Sequence, residues 1–311
     1  MPKRQQVGKS GVTPCKHYLL DKILGSEFGV TSRPQFDNLS AYIVIDLTAG
    51  DGVPVTRDGE LIPAFNEGCS PGICLKHLDH RAKRHPDKPA VWIAIEKQPE
   101  TFQQLWKNVS SHLEQLGGWH GTDQRIYEAP VPEWNSQKEG CKLILLNMNS
   151  HEFLLHKPLT QLNLDSECAV FLYNDPNHIE DWCLSEQLVR SLPRLTTSLS
   201  TLGCNVGGMK RLEIGKRRQW FDRVDMIAGT LQEWHDACLF SIGGPDQWAY
   251  LITAPTKWRD RISESCRKAA KQVVGRKADA SITWLKENQG DFKDHQRKLF
   301  LTKQELASND Y

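Results

Sequence analysis

Six short apolar runs break up an otherwise polar chain. Residues 41–47, 90–95, 142–146 and 167–173 are apolar at successive rather than alternate positions. That pattern predicts strands covered on both faces, as in a parallel sheet. Between them lie helical patterns. Residues 17–24 carry apolar side chains at helical spacing, and Phe102, Leu105, Trp106, Val109 and Leu113 form one stripe. A further helix is predicted over 184–192. Runs at 237–242 and 248–253 flank Gly243-Gly244-Pro245-Asp246 and predict a hairpin. Strands alternating with helices predict an α/β fold: a mostly parallel sheet with a terminal antiparallel hairpin and helices on both faces. The chain divides into a flexible N-terminus (1–14), an α/β domain (15–255) and a basic helical C-terminal extension (256–311). The domain carries an insertion, 53–90, rich in Pro, Gly, His and charge, with a short helix over 72–83.

Composition narrows the class. The 311 residues are long enough for a substantial core, and the net charge is +1. Any basic footprint is therefore local. No apolar run reaches the ~18 residues of a membrane span, and no apolar stretch follows the basic N-terminus. Nine scattered cysteines do not form a disulfide framework. A cytoplasmic protein with no membrane contact is expected.

Three predicted strand ends carry polar residues, and ligands of doubly wound sheets bind at such ends. The first is Asp46-Leu47-Thr48-Ala49-Gly50-Asp51-Gly52, whose glycines allow a tight turn and close backbone approach. The second is Glu96, which could accept both hydroxyl protons of a ribose. It lies 44 residues beyond Gly52, against ~20 in the compact dinucleotide fingerprint, so the insertion must loop out. The third is Asn174-Asp175-Pro176-Asn177, which offers acceptors on a stiffened backbone. Each also has a plain structural reading: an ordinary strand-to-helix turn, a solvated glutamate and a β-turn.

The segment from Ile43 to Gly52 resembles the first motif of S-adenosylmethionine-dependent methyltransferases with a Rossmann-like fold. More narrowly, the layout is similar to the three-Cys-motif partner family, with Cys69-Ser70-Pro71-Gly72 in place of its Gly-Ser-Pro-like segment and Asp175-Pro176 matching its Asp-Pro strand end. The likeness covers about residues 15–255. It implies a Rossmann-like methyltransferase sheet and S-adenosylmethionine as cofactor. It places Asp46, Thr48, Ala49, Gly50, Gly52, Glu96 and Lys97 on the cofactor side. Asn174, Asp175, Pro176 and His178 then fall on the catalytic side, with His178 or Asp181 positioned to take a proton. Where amino methyltransferases usually carry a second proline and an aromatic that stacks on a flipped base, this chain has Asn177 and His178. That departure keeps open a non-catalytic partner protein. A metal-dependent nuclease using Asp46 or Asp175 with Glu96 and Lys97, or Glu213 with Lys216, is the second alternative. The adenine-pocket residue is left among Asn147, Asn149 and Glu152.

Two further clusters bear on partners. Cys69, Cys74, His77, His80 and His85 have spacings compatible with zinc, although surface histidines on a helix give the same pattern; no metal is assigned. Lys210, Arg211, Lys216, Arg217 and Arg218 crowd around Trp220, and residues 257–303 hold thirteen Lys or Arg against six Asp or Glu. Cations neutralise phosphates and aromatics stack on unpaired bases, so nucleic acid is the expected partner, with a protein partner as alternative.

Overall fold

Every residue of β1 (Tyr42–Asp46) is buried, because parallel strands flank it on both sides and helices cover both of its faces. The computed structural model describes residues 13–53, 68–122, 133–138, 140–155, 168–176, 185–191, 193–202, 206–242, 248–274 and 280–308. The remaining strands are β2 (Ala90–Ile95), β3 (His120–Thr122), β4 (Glu133–Lys138), β5 (Cys141–Leu146), β6 (Ala169–Asn174), β7 (Leu195–Thr201), β8 (His235–Ile242), β9 (Trp248–Pro255) and β10 (Ala280–Trp284). They form one sheet in the order β10-β8-β9-β7-β6-β1-β2-β5-β4-β3.

The five central strands are mutually parallel. Counted in chain order, they lie across the sheet as 3-2-1-4-5, the doubly wound arrangement, with the order reversing between β1 and β6. β9 runs antiparallel between β7 and β8, so the expected terminal hairpin is present. The fold is α/β and Rossmann-like.

Ten α-helices surround the sheet among the described residues: α1 (Thr13–Thr31), α2 (Ser70–Arg84), α3 (Pro99–Leu116), α4 (Ser150–Leu155), α5 (Glu186–Ser191), α6 (Val206–Arg211), α7 (Ile214–Thr230), α8 (Arg259–Val274), α9 (Gln289–Phe300) and α10 (Lys303–Ser308). Alternation along each strand separates two cores. Tyr42, Val44, Trp92, Leu143 and Phe171 pack with α1, α2, α3 and α8. Ile43, Ile45, Ile93, Ile144 and Leu172 pack with α4, α6, α7 and α9. Helices thus cover both faces, as expected.

Several elements differ from the sequence-based expectation. The helix predicted over 72–83 spans Ser70–Arg84 and is a core helix, with Ile73, Leu75 and Leu78 fully buried, rather than part of a surface excursion. The C-terminal segment is not wholly helical: β10 pairs antiparallel with β8 and extends the sheet. Strands β3, β4 and β7 had no apolar signal. The predicted Gly243–Asp246 turn, the first dozen residues and 54–67 of the insertion lie outside the described residues. Among the described residues, no helix is long and apolar enough to cross a membrane.

His295 shows how the second core ties these late elements together. Its Nε2 lies 3.0 Å from Ser241 Oγ on β8, and its Nδ1 lies 3.0 Å from Thr283 Oγ1 on β10. Burial lowers its pKa to about 4. At pH 5 the unfolded imidazole binds a proton and the folded one does not, so stability is lost as pH falls from 6.5 toward 4. Between pH 7.5 and 5, wild type should lose about 2 kcal/mol more than His295→Gln, which keeps polar atoms for the two hydroxyls. Denaturant unfolding at both pH values measures this. Glu27 and Asp46, raised to about 7, titrate in the opposite sense, but equally in both proteins.

Candidate functional site at the β1–β6 switch point

The residues after β1 turn sharply because Gly50 and Gly52 adopt φ of 67° and 66°, a region that favours glycine. Three hydrogen bonds fix the turn against its neighbours. Leu47 N–H donates to Tyr173 O on β6 (2.9 Å), and Ala49 N–H donates to Ile95 O on β2 (3.0 Å). Asp175 N–H donates to Thr48 Oγ1 (2.9 Å). The loop is therefore stitched to both flanking strand ends.

Asp46 is fully buried at the base of this loop. Its Oδ1 accepts the Thr48 N–H at 3.1 Å, and the Ser70 hydroxyl at the start of α2 also hydrogen-bonds to the carboxylate. Burial raises its pKa to about 7, and repulsion from Asp175 and Glu96 adds to the rise. The parallel register sets the three predicted carboxylates at one edge of the sheet: Asp46 pairs with Ala94 on β2 and with Tyr173 on β6, each two residues before Glu96 and Asp175. Glu96 is partly buried. Its Oε1 accepts the Gln98 N–H at 2.8 Å, and a further backbone hydrogen bond comes from Gly50. Burial raises its pKa as well. A Cβ built on Gly50 would meet nothing within 4 Å, so the loop faces open space there. Gly52 and Ala49 are buried beneath, and Lys97 is exposed beside Glu96.

The start of α2 closes this side. Cys69 is its N-cap residue, and its Sγ lies 3.6 Å from Gly52 O. Cys69-Ser70-Pro71-Gly72 thus forms a buried first turn against the glycine loop. Beyond β5, Asn147 Nδ2 donates to Glu96 O (2.8 Å). Asn149 Oδ1 accepts the His151 N–H (2.8 Å) at the start of α4, and Glu152 is exposed. Of the three adenine-pocket candidates, Asn147 is the one joined to the rim.

On the opposite side, Asn174 is fully buried, with both amide atoms lacking a partner. Pro176 is buried, and His178 with Asn177 and Asp181 lies outside the described residues. Asp175 is 22% exposed at its side chain and holds a partner that sequence reasoning missed. Lys16 Nζ on α1 lies 2.8 Å from Oδ1 and 3.1 Å from Oδ2, and Thr201 Oγ1 donates to Oδ1. Lys16 is 159 residues away in sequence, and no local spacing signals such a pair. His17, beside it, is buried with Nδ1 unpartnered. Burial lowers its pKa to about 4.

The other predicted clusters are not gathered here. Trp220 is a core residue of α7, and Arg217 is buried against Glu305, so neither can stack on a base or reach a phosphate. Lys216, Arg218 and Arg211 are exposed, and Lys210 is partly buried. In the cysteine–histidine set, His77 Nε2 lies 3.0 Å from Asp21 Oδ1, and burial raises the Cys74 thiol well above its usual range. His80 is exposed. Among the described residues, no three His, Cys, Asp or Glu side chains are grouped to hold a metal ion.

The fold and these strand ends define a Rossmann-like α/β protein with polar residues gathered at its switch point. No family model matches the chain, and no curated protein matches it. Among solved structures, it is similar to the crystal structure of cofactor-bound Rv0187 from MTB. The identity is 12%, over 76% of this chain and 79% of that one, with a TM-score of 0.35.

Proposed function

We propose that the chain is an S-adenosylmethionine-dependent methyltransferase, with the cofactor held along the Asp46–Gly52 loop and Glu96 and the acceptor at Asp175. The observation that supports this reading is that Asp46, Glu96 and Asp175 stand at the ends of three adjacent parallel strands, at the point where the strand order reverses. The residues fit the group. Gly50 leaves space beside the loop, the Asn174 amide is buried with unused hydrogen-bonding capacity, and the partly buried Glu96 carboxylate suits the hydroxyls of a ribose. When bound, the cofactor supplies an electrophilic methyl group. The chain's own part is alignment: Glu96 engages ribose hydroxyls, Asp46 holds the loop through the Thr48 N–H, and Asp175 orients the acceptor.

The acceptor class is narrower than nucleic acid contact alone would require. Trp220 and Arg217 are withdrawn into the protein, so a nucleic-acid reading rests on the exposed Lys216, Arg218 and Arg211.

Calorimetry with S-adenosylmethionine is the test. Micromolar binding by wild type, reduced more than about tenfold in Asp46→Ala and less in Asp46→Asn, is the expected result. No heat of binding at millimolar cofactor overturns it in favour of a non-catalytic partner.

A further inference from the structure

Asp175 occupies the acceptor corner of the rim, yet its carboxylate is already engaged. Lys16 Nζ contacts both oxygens, at 2.8 and 3.1 Å, and Thr201 Oγ1 donates to one of them. The same ammonium lies 4.1 Å from the centroid of the Trp248 ring. A carboxylate on one side, a hydroxyl beside it and an indole face across from them make up the chemistry that recognises an alkylammonium ion. The exocyclic amine of a nucleobase is neutral and planar and has no use for the cation–π contact.

The Lys16 side chain is only 7% exposed, while the Asp175 side chain retains 22%, so Asp175 is the more open of the pair. Thr48, in the cofactor-side loop, holds the Asp175 backbone by its N–H, and Trp248 is fixed at the start of β9. Lys16 itself comes from the first turn of α1, outside the sheet, and the helix is held by the buried Leu19, Leu20, Ile23 and Leu24. The receiving groups are thus built into the sheet, and the occupant is carried on the end of a helix.

We propose that Asp175, Thr201 and Trp248 form a primary-amine subsite, that Lys16 is its intramolecular occupant, and that the acceptor of this protein is an aliphatic primary amine that displaces Lys16. The bound ammonium passes one proton to the Asp175 carboxylate, and the lone pair so exposed takes the methyl group as its bond to sulfur breaks, leaving a neutral thioether and a secondary ammonium. The proposal rests on reading Asp175 as the acceptor side of the site.

The probe is n-butylammonium chloride, titrated calorimetrically into Lys16→Ala, wild type and Lys16→Ala/Asp175→Asn. Butylammonium should bind Lys16→Ala about tenfold or more tighter than either of the others. Absence of binding to a Lys16→Ala protein with the circular dichroism of wild type overturns the proposal. S-adenosylmethionine is titrated in parallel. If the cofactor binds and butylammonium does not, the amine subsite alone is wrong. If butylammonium binds and the cofactor does not, the subsite stands and methyl transfer falls. Should Lys16→Ala fail to fold, the wild-type protein serves. Acetylation of Lys16 by a water-soluble succinimidyl ester, read by peptide mass spectrometry as a rate relative to the exposed Lys107 because butylamine also consumes the ester, should speed up about threefold in butylammonium relative to sodium chloride at equal ionic strength. An unchanged rate overturns the proposal.

Discussion

Gly140→Ala should cost about 3 kcal/mol of stability, whereas Gly117→Ala should cost about 1 kcal/mol. The two glycines have nearly the same backbone, with φ of 70° and 67°. Both substitutions incur the penalty of placing a side chain in the left-handed region. They differ in surroundings. At Gly117 an added Cβ meets nothing within 4 Å. At Gly140 it would sit 2.2 Å from Pro86 O and 2.9 Å from Pro86 C, and both are backbone atoms that cannot swing aside. Relief requires the turn before β5 to move away from the entry to β2. Gly140 O accepts the Ala90 N–H at 2.9 Å, the bond at the start of the β2–β5 register. Moving the turn strains that bond and the pairing of β2, which leads into Glu96. Denaturant midpoints at unchanged m-value provide the comparison. If the two variants unfold within 0.5 kcal/mol of each other, measured at ~±0.5 kcal/mol error, the close approach at Pro86 is not what holds this turn.

The central sheet was legible because burial on both faces leaves a continuous apolar string. β1, β2, β5, β6, β8 and β9 all follow that rule. β7 does not, although it lies equally deep: Thr196, Thr197, Ser198, Ser200 and Thr201 are buried there. Several of its hydroxyls find partners, with Ser198 Oγ 2.7 Å from Thr253 Oγ1, Thr196 Oγ1 donating to Pro193 O and Thr201 Oγ1 donating to Asp175. A buried strand rich in hydroxyls gives no hydropathy signal. β10 was hidden for the opposite reason, since an edge strand with half-exposed residues has little to bury. At the site, the Asp46–Gly52 turn, Glu96 and Asp175 were visible because strand ends and turn glycines mark themselves in sequence. Lys16 was not, since its role depends on a contact between the first helix and the fourth central strand.

The largest misreading of charge leads to the second prediction. In sequence, Arg217 sits in a run of cations and reads as a phosphate contact. On α7, however, Arg217, Trp220, Val224 and Ile227 recur at helical spacing and form one buried stripe, while Lys216 and Arg218 point outward. Adjacency grouped residues that the helix separates; the spacing of Trp220, Val224 and Ile227 was the signal that could have corrected it. Arg217 is neutralised by Glu305, both guanidinium nitrogens lying 2.6 Å from the two carboxylate oxygens. Glu305 also accepts the Thr302 N–H at 2.7 Å while Thr302 Oγ1 accepts the Glu305 N–H at 3.3 Å, a reciprocal cap that starts α10. The guanidinium and these hydrogen bonds hold the Glu305 carboxyl down to about 2. Its stabilising contribution is therefore present above pH 4.5 and is lost as pH falls toward 2. Glu305→Gln at pH 7 strands a buried guanidinium and should cost about 3 kcal/mol, and Arg217→Met/Glu305→Gln should recover most of that loss. Neither change should alter affinity for single-stranded DNA or RNA, whereas reversing Lys216 and Arg218 to glutamate should weaken whatever affinity exists. Denaturant unfolding of the three proteins, with fluorescence anisotropy on a labelled oligonucleotide, separates the two roles. A Glu305→Gln protein of wild-type stability that has lost oligonucleotide binding would return Arg217 to the surface reading.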